Sequence, residues 1–414
     1  MTSRRSAAFD ATLYACSALV ALWIARFDSI PIHREWGRLA AGPYAAGAVA
    51  ACLMAARRAG VRARTWLALG VVMGCALLPL SLELAGRART EPGLHAHSEV
   101  IVTEEAAKAL LDGRHPYAAT YLDGPLAARP LGTKTHFPYL PGMLLFGVPR
   151  ALADDGAPLT DARVAFTLGT LAVTIVALRL WRAPPVDRLL VVQILVALPT
   201  GALLMATGGD DLPVLALILL ALVLLDRREP GWSGAVAGAA AALKQTAWIA
   251  LPFLLISARD KSDRPARTRF GLATLCVVIP VVLPFVIWEP SDFVEDVILF
   301  PLGLGQQPSA AGGTTLGSLL IRAFPGARDG LTVMLMASVL AVAITLFIFR
   351  SPAKPYQALQ RAGIVMTVAL LLAPAARLGY AIYPIELFTL AWLSRGREAE
   401  GSIPNGRSGR DVGR

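Results

Sequence analysis

The stretch His97-Ser-Glu-Val-Ile-Val-Thr-Glu-Glu-Ala-Ala-Lys-Ala-Leu-Leu-Asp-Gly-Arg-His-Pro-Tyr117 is the centre of a polar segment, about residues 86–136, set between long apolar runs. Its apolar residues Val102, Ala106, Ala109 and Leu110 fall close to helical spacing, and Gly113 and Pro116 then stop the pattern. The spacing predicts a short amphipathic helix over 100–111 that lies at a membrane surface and caps a cavity open to lipid and water. Glu104 and Glu105 fall on its expected solvated face.

Outward from that loop the composition is that of a bilayer protein. The chain has 414 residues, 55% of them hydrophobic, and a mean hydropathy of +0.57, too apolar for a soluble domain. Ten apolar segments of spanning or nearly spanning length lie near 9–26, 42–56, 66–85, 162–181, 188–206, 211–225, 270–288, 331–349, 361–375 and 378–393. Two more are irregular. Residues 137–152 are short and carry three prolines, and residues 233–257 are interrupted by Lys244-Gln245. The expected fold is therefore all-α: a polytopic membrane protein of about ten full spans, two broken or re-entrant helices and a large outer loop. Residues 1–394 form one membrane domain, and 395–414, rich in Gly, Ser and Arg, a disordered tail.

If the two irregular segments return to the side they left, the basic groups sort to one side. Arg57, Arg58, Arg62, Arg64, Arg179, Arg182, Arg188, Arg227, Arg228, Arg350 and Lys354 share it with both termini. The positive-inside rule makes that side the cytoplasm and the membrane the plasma membrane. The 86–136 loop, Asp154-Asp155, Asp210-Asp211, the 289–330 loop and Arg377 then face outward. Broken helices at membrane depth line cavities or are buried in protein, so an outward polar cavity follows. The net charge of +10 is scattered among spans and excludes a nucleic-acid partner. Cys16, Cys52, Cys75 and Cys276 lie in apolar segments without paired spacing and read as small core residues.

Five polar positions could carry chemistry. Glu99, before the loop helix, is either a general base for a hydroxyl nucleophile or a solvated loop carboxylate. Asp210 and Asp211 are either acidic residues at a helix start or binders of sugar hydroxyls. Adjacent carboxylates on a helix diverge, which argues against a metal between them. Lys244 is an ammonium near the middle of an apolar segment, so it is a functional residue or a lysine snorkelling from a re-entrant helix. Arg377, near Tyr380 and Tyr383, is either a fork for phosphate oxygens or part of an interfacial belt. Lys244 and Arg377 together would make a phosphate clamp. His97, His115 and His136 show no metal-ligand spacing, and His136, before Phe137-Pro-Tyr139, is the one nearest a motif. No metal or cofactor is called for. A lipid or solute transporter, or a flippase, would fit the same lysine and cavity.

Several segments together resemble the polyprenol-phosphate-sugar-dependent glycosyltransferases of the GT-C superfamily, in particular glycosyltransferase family 87 as found in actinobacteria. They are Glu99 followed by Ala106-Ala107, Leu110-Leu111, Gly113 and Pro116-Tyr117; Phe137-Pro-Tyr-Leu-Pro-Gly142; Gly209-Asp-Asp-Leu-Pro213; Gly234 through Lys244; Phe300-Pro-Leu-Gly-Leu304; and Pro374-Ala-Ala-Arg-Leu-Gly-Tyr380. The resemblance covers about 95–390. It implies inverting transfer of a sugar, with mannose the default, from a polyprenyl-phosphate donor to a lipid or glycan acceptor on the outer face. Glu99 stands where the family has a catalytic carboxylate, usually Asp, and Asp210-Asp211 where it commonly has Asn. The resemblance also implies substrate-binding roles for Asp210, Asp211, Tyr117, His136, Tyr139 and Tyr380.

Overall fold

A computed structural model describes residues 6–90, 93–153, 157–259, 265–307, 313, 315–375 and 378–401, the last with side chains of 378 and 396–401 left out. Asp154-Asp155, Arg377 and residues 402–414 of the tail lie outside the described residues. Among those described the chain is helical throughout, with no strand.

Among the described residues, six helices are long and apolar enough to cross a bilayer: Ala7–Phe27, Pro31–Ala56, Val61–Arg87, Ala162–Leu180, Ala266–Trp288 and Pro325–Phe349. The expected crossing at 188–206 is instead a pair, Pro185–Ala197 and Pro199–Thr207, bent by 43°. Proline at 199 explains the bend, because its ring forbids the helical conformation at Leu198, which is extended at ψ 162°. If that pair counts as one span the number is seven. Of the remaining expected crossings, Asp211–Asp226 is shorter, at 16 residues, and Pro355–Leu372 and Ile382–Gly401, at 18 and 20, are less apolar than the six spans. The last runs past residue 394, where the sequence placed the start of the tail.

Both irregular segments are broken. The first is a 3₁₀ turn at Pro141–Met143 followed by a helix at Leu144–Ala151. The second is a helix at Pro230–Leu243 that stops at Lys244, whose backbone is extended (φ −153°, ψ 142°), then a 3₁₀ stretch Gln245–Ile249 and a helix Leu251–Ser257. The two breaks satisfy each other. The Leu140 N–H donates to Leu243 O at 3.1 Å, and Gln245 Nε2 donates to Pro138 O at 3.1 Å and Val297 O at 2.8 Å. Backbone released from a helix at this depth requires such partners.

The loop helix forms as Ser98–Leu111 but is not a surface helix. Glu104 is buried along with Val100, Ile101, Val102, Thr103, Ala106, Ala107 and Ala109, leaving Lys108 and Leu111 exposed. It packs on Leu144–Ala151 so closely that a Cβ at Gly147 would collide with Thr103 O. The cysteines also differ from the reading above. Cys75 is buried, whereas Cys16, Cys52 and Cys276 are exposed on apolar helices.

Candidate functional site

Three helix ends and the loop helix converge on one polar cluster. Lys244 reaches it because the break in its helix turns the side chain inward. Its ammonium lies 2.9 Å from Asp210 Oδ2 and 2.5 Å from Asp211 Oδ1. The sequence argument that adjacent carboxylates diverge fails here for a local reason. Asp210 is the residue before the helix Asp211–Asp226 and lies off its axis, so both carboxylates can face one ammonium. Neither is a conventional cap, since Asp210 makes no side-chain capping bond. The rings of Tyr139 and Tyr380 flank the same ammonium, at 5.2 Å and 5.4 Å from their centroids. Tyr383 donates its hydroxyl to Asp211 Oδ1 at 2.7 Å and accepts from Thr246 at 2.7 Å.

Glu99 joins from the first turn of the loop helix. Its Oε1 accepts the Gly209 N–H at 3.2 Å, and its Oε2 lies 3.2 Å from His97 Nδ1. Gly208 leaves room for the carboxylate, which a Cβ there would strike. Gly209, at φ +101°, takes a backbone conformation that L side chains rarely adopt. The loop is pinned alongside by the His97 N–H donating to Thr207 O at 2.9 Å. At formal charges the cluster holds three carboxylates and one ammonium. They differ in reach: the Glu99 side chain is 15% exposed, Asp211 3% and Asp210 0%. Asp210 Oδ1 is buried without a hydrogen-bond partner among the described residues. Such an arrangement attracts positive charge and has one carboxylate within reach of a substrate.

Tyr117 lies behind Tyr139 of this cluster, whereas His136 belongs to a neighbouring group with Phe300, Glu295 and Asp296. Tyr117 is buried among Phe137, Phe285 and Phe293, and its hydroxyl donates to Tyr139 O at 2.8 Å, so it braces Tyr139 from behind. His136 stacks on Phe300 with centroids 4.1 Å apart, its Nε2 being 3.6 Å from Glu295 and 3.9 Å from Asp296. Asp296 accepts the Phe137 N–H at 2.6 Å. Burial pushes its carboxyl up to about 8, with the Phe137 hydrogen bond opposing and the Glu295 charge adding to the rise. Sequence reasoning missed Glu295, Asp296 and the partnership of His97 with Glu99. Only the last left a local signal, a histidine two residues before the carboxylate.

The fold is that of a polytopic membrane protein with a carboxylate-rich cluster where broken helices meet. The family model for glycosyltransferase family 87 matches residues 137–374, more than half of the chain, and the protein belongs to that family. It is a membrane glycosyltransferase. The match includes Tyr139, Asp210, Asp211 and Lys244, whereas Glu99, His97 and His136 precede it and Arg377 and Tyr380 follow it. No curated protein matches the chain.

Proposed function

We propose that the protein transfers a sugar, mannose by family default, from a polyprenyl-phosphate donor to a lipid or glycan acceptor on the outer face of the plasma membrane, with Glu99 as general base. The observation that carries this reading is the accessibility of Glu99 beside two buried carboxylates. A base must reach the acceptor hydroxyl, and its proton affinity must be raised. Asp210 lies close enough to Glu99 for the two carboxyl groups to interact electrostatically. Glu99 takes the proton of the acceptor hydroxyl as its oxygen attacks the anomeric carbon, and the lipid phosphate departs from the opposite face, so the configuration inverts. The transition state is oxocarbenium-like. Fixed carboxylates nearby stabilise its positive charge.

In this reading Lys244 acts mainly by orienting Asp210 and Asp211, since both already hold its ammonium. The leaving phosphate falls to Arg377, whose guanidinium suits phosphate oxygens. Tyr139 and Tyr380 wall the sugar site, and His136 lies at its rim. His97 accepts the proton from Glu99 after transfer. The ring of His33 stacks on it at 5.8 Å between centroids, 3.2 Å from Asp28 through its own Nδ1, and offers a way outward.

The test is transfer from radiolabelled polyprenyl-phosphate-mannose to a membrane lipid or glycan extract by purified wild type and Glu99→Gln. Transfer lost in the variant supports donor class and base together. Transfer that survives moves the base to Asp210 or Asp211, and no transfer by wild type rejects the mannosyl donor.

A further inference from the structure

Three residues unconnected in the sequence, Glu35, Glu83 and His95, bring one carboxylate oxygen each and one ring nitrogen within 4.8 Å of one another. Glu35 opens the helix Pro31–Ala56, Glu83 ends the span Val61–Arg87, and His95 precedes the loop helix. We propose that they bind a first-row divalent metal ion of the Zn²⁺ type, a site separate from the sugar-transfer chemistry and independent of that reading.

Four features of the geometry point to a cation. Glu83 is 2% exposed, and while its Oε2 lies 2.9 Å from His95 Nδ1, its Oε1 is buried with no hydrogen-bond partner among the described residues. A buried carboxylate oxygen left in this state is costly unless a ligand completes it. The exposed Glu35 carboxylate lies in the same group, so two negative charges face one imidazole. His95 is also held in an unusual backbone conformation, φ +59°, which a non-glycine residue adopts at a cost. That conformation aims the ring at Glu83 and over Gly86, where a Cβ would press on the imidazole at 2.9 Å. Finally, Arg163 Nη1 donates to His95 O at 2.7 Å, fixing the backbone from the other side.

The donor set selects the metal. One imidazole and two carboxylates suit Zn²⁺ at about 2.0–2.2 Å from each ligand, with a fourth position left for water. Ligands at those bond lengths sit about 3.3 Å apart in a tetrahedron, so the His95–Glu83 contact, 2.9 Å here, opens by a few tenths of an ångström on binding. The ion would tie the ends of two spans, Pro31–Ala56 and Val61–Arg87, to the segment before the loop helix. Linear spacing could not reveal the site, because its donors lie on three separate segments.

The experiment is calorimetric titration of ZnCl₂ into the full-length protein, purified in detergent without a histidine tag and stripped by chelator. Wild type should bind one Zn²⁺ per chain, saturably. Glu83→Gln should abolish binding. Glu35→Gln, at an exposed position that cannot disturb the core, should weaken it at least tenfold, which keeps the test valid if Glu83→Gln misfolds. Absence of saturable binding by wild type, or wild-type affinity in folded Glu35→Gln, would leave an ion pair only and overturn the proposal.

Discussion

One helix, Ser98–Leu111, carries a carboxylate into each of two charge clusters, the half-buried Glu99 into one and the buried Glu104 into the other, and the two are built on opposite plans. Glu104 meets Arg87 through both oxygens, at 3.0 and 2.6 Å, and also accepts the Ala162 N–H at 2.9 Å. Asp161 accepts from Arg87 at 2.6 Å and from Arg163 at 2.8 Å on each of its oxygens. Burial alone would raise the Asp161 carboxyl, but Arg163 and then Arg87 hold it well below the usual carboxylate range. Two arginines balance two carboxylates, and every carboxylate oxygen has a donor. Around Glu99 there are three carboxylates for one lysine, and Asp210 Oδ1 has no donor among the described residues. The balanced cluster holds the helix in place. The unbalanced one retains an unmet electrostatic demand, which a sugar-transfer transition state can meet.

The sharpest way to break this contrast is to perturb the two clusters separately. Glu99→Gln should lower transfer by about 10²–10⁴-fold, the range of general-base catalysis, while the thermal midpoint in detergent stays near wild type. Arg87→Ala should do the reverse. It strands Glu104 in the interior, destabilising by about 3–5 kcal/mol in a denaturant melt, while activity per folded molecule keeps the wild-type pH profile. Equal losses of stability in the two variants would erase the distinction.

Lys244→Met should destabilise by a similar amount, about 3–5 kcal/mol, because it leaves two buried carboxylates without their cation. Adding Asp210→Asn and Asp211→Asn to that variant should restore most of the melting midpoint and none of the transfer. Stability that stayed low in the triple variant would mean that Lys244 acts through packing against Tyr139 and Tyr380.

The smallest effect is expected at Asp296. Its folded pKa, about 8, lies above the ordinary carboxylate value. Its contribution to stability is thus fully present below the unfolded pKa and is lost as pH rises from about 4 through 8. Asp296→Asn, which keeps an acceptor for the Phe137 N–H, should flatten the decline of melting midpoint between pH 5 and 8.

What could be read from the sequence was set by distance along the chain. Hydropathy marked the membrane helices, and Lys244 marked the break in its segment, because a charge inside an apolar run is a local signal. Pro199 was equally local, yet the apolar run around it reads as one crossing and conceals the bend. Glu104 was misassigned because Glu104-Glu105 and Lys108 look like a wet helix face. Its partners Arg87 and Asp161 come from elsewhere in the chain, and no periodicity announces them. Asp210 and Asp211 stand out in the sequence as polar residues at a helix start, but their convergence on Lys244 depends on one lying before the helix and one within it.

The stitched break at Lys244 also has a consequence for biosynthesis. Translation proceeds from the N-terminus, so Lys244 enters the bilayer when Asp210, 34 residues earlier, is already present to receive it. The Phe137 amide, by contrast, waits for Asp296, made 159 residues later. The charged cluster can thus assemble while the protein is still being inserted, and the aromatic packing behind Tyr139 closes only after the span Ala266–Trp288 has emerged. A nascent chain stalled before that point would hold its lysine pair and lack its aromatic wall.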